Sequence, residues 1–133
     1  MAALGTFAEN LLLAFLLKGS TTGIPAAWGI GIGTAVGNSL SGSEIASGSG
    51  VARQSGSFLS VAAGTYINSG AVTFGPFNAA GTISGIAVFD TYQATYTANA
   101  GDLLVFGSLA AARTLASGDS LVLASGAMSI TLS

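Results

Sequence analysis

Short apolar runs broken by turn-forming residues dominate this sequence from Gly19 to its end. Gly, Ser, Asn and Asp stand between the runs, and no stretch after Gly19 keeps a helical period over three turns. Apolar runs of about four to eight residues bounded in this way are typical of β-strands. The chain after Gly19 is therefore predicted to be all-β. The candidate strands are residues 28–36, 57–62, 71–74, 82–89, 102–109, 120–123 and 127–132.

The N-terminal segment differs, because it carries the signals of one short helix. Thr6 and Glu9 match a capping box, Lys18 suits the last turn, and Gly19 suits the left-handed residue that ends a helix. The predicted helix therefore runs from Thr6 to Lys18.

Apolar residues recur at helical spacing on a wide face of this predicted helix. Its 13 residues, at ~1.5 Å per residue, are too few to cross a membrane, because a membrane-spanning helix needs ~20 residues. We expect this one-sided face, with Leu11 and Phe15 in it, to close the core or to contact another subunit.

The run W-G-I-G-I-G at 28–33 alternates bulky residues with glycine. In a strand, Trp28 and the two isoleucines lie on one face and the glycines on the other. A glycine face allows another backbone to approach closely. Close packing is favoured over a nucleotide-binding loop, because the G-x-G-x-x-G spacing and the P-loop lysine are absent.

About seven short strands at intervals of roughly ten residues predict antiparallel pairing, since a parallel sheet needs helices between its strands. The predicted fold class is mainly β, an antiparallel β-sandwich or jelly roll of about seven or eight strands with one short N-terminal helix. We expect a single domain over 1–133, with the helix in 1–19 and the sandwich in 20–133. The stretches 37–50 and 91–101 are candidate projecting loops, either flexible or ordered against a neighbour.

Reactive side chains are scarce. The 133 residues include no His, no Cys, three basic residues and five acidic ones. Without His and Cys, most acid–base and nucleophilic hydrolase designs and all thiolate metal sites are excluded. Three basic residues are too few for a nucleic-acid surface, and the acidic first charge, Glu9, argues against a secretory signal. We expect no enzymatic activity, no cofactor or metal, and no nucleic-acid or membrane partner.

Four carboxylates after the helix could in principle pair for catalysis or bind a cation. Glu44, Asp90, Asp102 and Asp119 show no spacing that predicts convergence, and the last two stand in turn contexts, which favours turn capping. Asp90 and Asp102 flank one loop and offer only weak support for a cation site.

Arg53 is expected to find a carboxylate or carbonyl partner, either within the chain, at Asp90 or Glu44, or on a neighbouring subunit. The intrachain alternative is favoured.

Several motifs follow one another in a characteristic order. They are E-N-L-L-L at 9–13, S-E-I at 43–45 leading to A-R-Q at 52–54, I-A-V-F-D at 86–90, and L-L-V-F-G-S-L at 103–109 followed by G-D at 118–119 and A-M-S-I-T-L at 127–132. This order resembles a family of small tailed-bacteriophage virion proteins, labelled head decoration (cement) or tail-fibre-like proteins. The resemblance covers most of the chain. It implies a structural virion component with a β-sandwich core, a homotrimeric assembly and no catalytic residues.

The first functional hypothesis is capsid decoration, as a cement protein on the outer surface of the phage head, assembled in the host cytoplasm. It would bind the major capsid protein and copies of itself, since few charges leave apolar surface to bury. The alternatives are a tail-fibre or receptor-binding module, and a small enzyme or lectin-like binder, for which Tyr66 would be one of few aromatic platforms. Candidate interface residues are Leu11, Phe15, Trp28, Glu44, Arg53, Tyr92 and Tyr96.

Overall fold

The computed structural model describes residues 2–19, 27–34, 51–91 and 103–131, which form antiparallel strands and one short helix. The predicted fold class is confirmed. In chain order the elements are β1 (Ala2–Leu4), α1 (Thr6–Lys18), β2 (Trp28–Gly33), β3 (Gln54–Gly56), β4 (Phe58–Ala62), β5 (Thr65–Asn68), β6 (Val72–Phe74), β7 (Gly81–Phe89), β8 (Leu103–Leu115), β9 (Leu121–Leu123) and β10 (Ser129–Thr131).

The strands form three antiparallel sheets. The largest has five strands in the order β1-β8-β7-β2-β3, and the smaller ones have the orders β10-β5-β4 and β6-β9. One hydrophobic cluster takes buried side chains from the large sheet, such as Ile30 and Ile32, and from the small sheets, such as Phe74. Because Phe58 and Ile130 also pack against this cluster, the small sheets cover one face of the large sheet as in a sandwich.

All seven candidate strands contain a strand of the structure, but the sequence pattern missed three short ones. These are β1, β3 and β5, of three or four residues each. Strand β8 also extends beyond the predicted end at 109, to Leu115, because its last residues pair with the start of β7. The candidate loops lie outside the described residues, apart from Thr91, and so do Glu44, Tyr92 and Tyr96.

Helix α1 has the predicted bounds, and Gly19 ends it in the left-handed conformation with φ of 62°. The predicted capping box is wrong, because the N-cap residue is Gly5 and no side chain caps the helix. The backbone N–H of Gly5 donates to the carbonyl oxygen of Leu104 at 2.7 Å. A Cβ added at Gly5 would collide with the carbonyl oxygen of Leu103. This close approach to β8 therefore places a glycine where a capping side chain was expected.

Candidate interaction surfaces

An exposed stripe of leucines runs along the outside of α1. Leu12, Leu13, Leu16 and Leu17 are 40%, 54%, 65% and 78% exposed. Their spacing of three and four residues puts them on one side of the helix, which we call the outer stripe. Glu9 lies at the N-terminal end of the same side. The predicted one-sided apolar face is therefore wrong, since the helix is apolar on its outer side as well.

The inner side of α1 rests on the edge of the large sheet. Phe7 and Ala8 pack against the main hydrophobic cluster, although no residue of the helix is fully buried. Of the two candidate interface residues here, Leu11 is half-buried and Phe15 is 48% exposed. Within the part of the chain that the structure describes, no helix is long and apolar enough to cross a membrane.

An apolar cleft of about 300 Å³ opens between the large sheet and the C-terminal strands. Residues 86–88 and 105–110 line one side of it, and Leu123 with residues 127–130 line the other. None of these residues is charged. We call it the β8–β10 cleft. Its lining residue Val105 packs against the same cluster as Phe7, so the cleft and the helix lie on the same face of the large sheet.

Arg53 is buried beneath the opposite face of that sheet. It is 2% exposed, and its guanidinium carbon Cζ lies 3.4 Å from the centre of the Phe89 ring. Strand β2 lies between β3 and β7, and its Gly29 pairs with Ser55 on one side and with Phe89 on the other. Arg53 precedes β3, so its side chain reaches Phe89 across β2, where glycine presents no side chain. The glycine face therefore accommodates a side chain rather than the backbone that the sequence led us to expect.

This burial bears on the predicted role of Arg53. A guanidinium over an aromatic ring is a favourable cation–π arrangement, and it is stronger where water is excluded. The Phe89 ring is a contact within the chain, but it is not the carboxylate or carbonyl partner that the sequence predicts for Arg53. The ion pair with Asp90 stays a prediction, and Glu44 lies outside the described residues.

Trp28 begins β2 and is 39% exposed. Its ring meets that of Phe58 edge to face, with the ring centres 6.5 Å apart. The sheet order separates this side chain and Arg53, at the β2–β3 edge, from Leu11 and Phe15, which lie beside β8 at the other edge. The described candidate interface residues therefore do not form one continuous surface.

Asp90 and Asp119 have local hydrogen-bond partners. An oxygen of Asp119, Oδ2, accepts from the backbone N–H of Ala116 at 2.8 Å, which is the predicted turn-capping role. Asp90 accepts from the Thr91 hydroxyl at 2.9 Å. Within residues 2–19, 27–34, 51–91 and 103–131, no group of three or more metal-ligating side chains comes together.

Asn68 is a structural residue that the sequence reasoning missed. It is 1% exposed, and its side-chain nitrogen donates to the carbonyl oxygens of Gly70 and Ala124, each at 2.8 Å. Its side-chain oxygen accepts from the backbone N–H of Met128, also at 2.8 Å. These bonds fasten β5 to the turn between β9 and β10. The local sequence Asn-Ser-Gly signals only a turn, because two of the three partners, Ala124 and Met128, lie more than fifty residues away.

The family described as Podophage GP4 fiber I protein gp80 matches residues 3–131, which is nearly the whole chain. No curated protein matches it.

Proposed function

The chain belongs to the podophage GP4 fiber I protein gp80 family, a family of structural proteins of tailed-phage virions, and we propose that it is a subunit of a virion fibre. The observation that carries this proposal is the extent of the family match, which includes α1 and every strand from β2 to β10. The fibre role was the second hypothesis from the sequence. The family description now favours it over capsid decoration.

The surface of the described chain supports a role in assembly. The outer stripe of α1 and the β8–β10 cleft are apolar surfaces of the kind that monomeric proteins keep small and that subunits bury against each other. In contrast, Asp119 caps a turn and Asp90 accepts a hydrogen bond from the neighbouring Thr91 hydroxyl. The proposal therefore assigns the chain contacts with itself and with other virion proteins, and no catalysis.

Capsid decoration is the second candidate. A cement protein would use the same apolar surface against the major capsid protein, and a chain with eight charged residues suits such burial. Both roles require self-association, for which the sequence resemblance led us to expect three copies. The two roles differ in the position of the protein on the particle.

The position can be measured by image reconstruction of particles with and without this protein. Density missing from a fibre in the deficient particles is the expected result. Density missing from the faces of the head would contradict the fibre proposal and favour decoration. Adding the purified protein back to deficient particles is the control, because it should restore the same density.

A further inference from the structure

We infer that the outer stripe of α1 binds in the β8–β10 cleft of a second copy of this chain. The inference rests on the proposed fibre role, since a fibre subunit must contact its own copies. Each copy carries both parts of the contact, the exposed leucines of α1 and an apolar cleft. Such a contact joins two different surfaces, so it can close a ring or a pair, or continue along a fibre.

The sizes of the two parts agree. A dry apolar cavity of about 150 Å³ holds one benzene-sized group. The cleft, at about 300 Å³, therefore has room for two side chains of leucine size. On α1, Leu13 and Leu16 are one turn apart, with their Cβ atoms about 5–6 Å from each other. Two leucines of the outer stripe can thus enter the cleft together.

The chemistry of the two parts also agrees. The cleft lining carries no charge, and its polar side chains are Ser108 and Ser129 at the exposed rim. The outer stripe is entirely leucine, and Glu9 stands at its end rather than in its middle. Burying these leucines removes exposed apolar surface from water without leaving a charge unpaired.

A second copy fits the outer stripe better than a lipid bilayer does. The 13 residues of α1 span about 20 Å, against a hydrocarbon core of about 30 Å. In addition, α1 is held to the sheet through Phe7, Ala8 and the hydrogen bond from Gly5 to Leu104. Binding in the cleft of a second copy, in contrast, does not require α1 to leave the sheet.

The absence of cysteine from the chain makes a clean cross-linking test possible. Leu16→Cys marks the outer stripe, Ser129→Cys marks the cleft, and Ser55→Cys, exposed on β3, is the control. Two single-cysteine variants, one carrying a size tag, are mixed and treated with a short thiol-reactive cross-linker. Circular dichroism and melting temperature establish that each variant is folded.

The expected result is a mixed product of Leu16→Cys with Ser129→Cys that exceeds the product with Ser55→Cys by about tenfold or more, because contact raises the effective concentration of the two thiols. Product from Leu16→Cys alone, without the mixed product, would mean that helices pair with each other and would overturn the inference. Sedimentation of the protein with phosphatidylglycerol vesicles, without the mixed cross-linked product, would also overturn the inference. A monomer by light scattering also overturns it, while the position of the protein on the particle tests the fibre role separately.

Discussion

Arg53 is a cation buried in a chain that has only three basic residues. An ordinary strand would place side chains between Arg53 and Phe89, but β2 offers glycine on that face. The alternation of glycine in β2 and the presence of arginine before β3 are thus parts of one arrangement. It links β3 to β7 across the strand between them.

Replacing Arg53 by lysine tests this arrangement. Lysine keeps the charge but lacks the planar group that stacks on Phe89, and it must bury a more strongly hydrated ammonium. We expect Arg53→Lys to lower the free energy of unfolding by about 2 kcal/mol, measured by urea denaturation. Arg113→Lys, at an exposed position, is the matched control and should change it by less than about 0.5 kcal/mol. Equal changes of unfolding free energy in the two variants would show that the stacking of Arg53 on Phe89 does not stabilise the fold.

Asn68 allows a sharper test, because aspartate has almost the same shape. In Asn68→Asp an acceptor oxygen would face the carbonyl oxygens of Gly70 and Ala124, which now receive hydrogen bonds. We expect a loss of about 3 kcal/mol in unfolding free energy, since buried acceptors would be left unpaired. Asn78→Asp, on the exposed surface, is the control and should change the unfolding free energy by less than about 0.5 kcal/mol. A stable Asn68→Asp protein would contradict the described network.

At the scale of the element, α1 has two sides with different roles. Phe7 packs on the core, whereas Leu16 points away from it. We expect Phe7→Ala to reduce the unfolding free energy of the monomer by about 2 kcal/mol, less than for a fully buried phenylalanine. Leu16→Ala should change it by less than about 0.5 kcal/mol and instead weaken self-association. Thermal melts of dilute protein measure the first effect and light scattering the second. The reverse pattern would mean that the outer stripe is not an assembly surface.

At the scale of the whole molecule, the proposed association depends on apolar contact rather than on charge. The cleft is uncharged, and Glu9 and Lys18 are the charged residues of α1. Because salt screens exposed charges and leaves apolar burial intact, the association constant should change little between low and moderate salt. Light scattering over a range of protein concentrations measures it. A steep fall of the association constant with salt would indicate contacts between charged surfaces, and Glu9→Gln would then identify the contribution of α1.

Local signals in the sequence determined the helix and the main strands. The glycine at 19 ends α1 because its left-handed conformation is easy for glycine alone. The runs that became β2, β7 and β9 carry their own apolar pattern and turn residues. These elements are decided by interactions within a few residues, so they can be predicted from the sequence.

Only the tertiary structure decided the features that depend on distant partners. Strand β3, of sequence Gln-Ser-Gly, has no apolar pattern of its own and exists because β2 pairs with it. Gly5 replaced the expected cap because β8 passes too close for a side chain. The contacts of Arg53 with Phe89 and of Asn68 with Met128 join residues far apart in the chain. Local sequence carries no information about which distant groups will meet, because the packing of the sheets sets those distances.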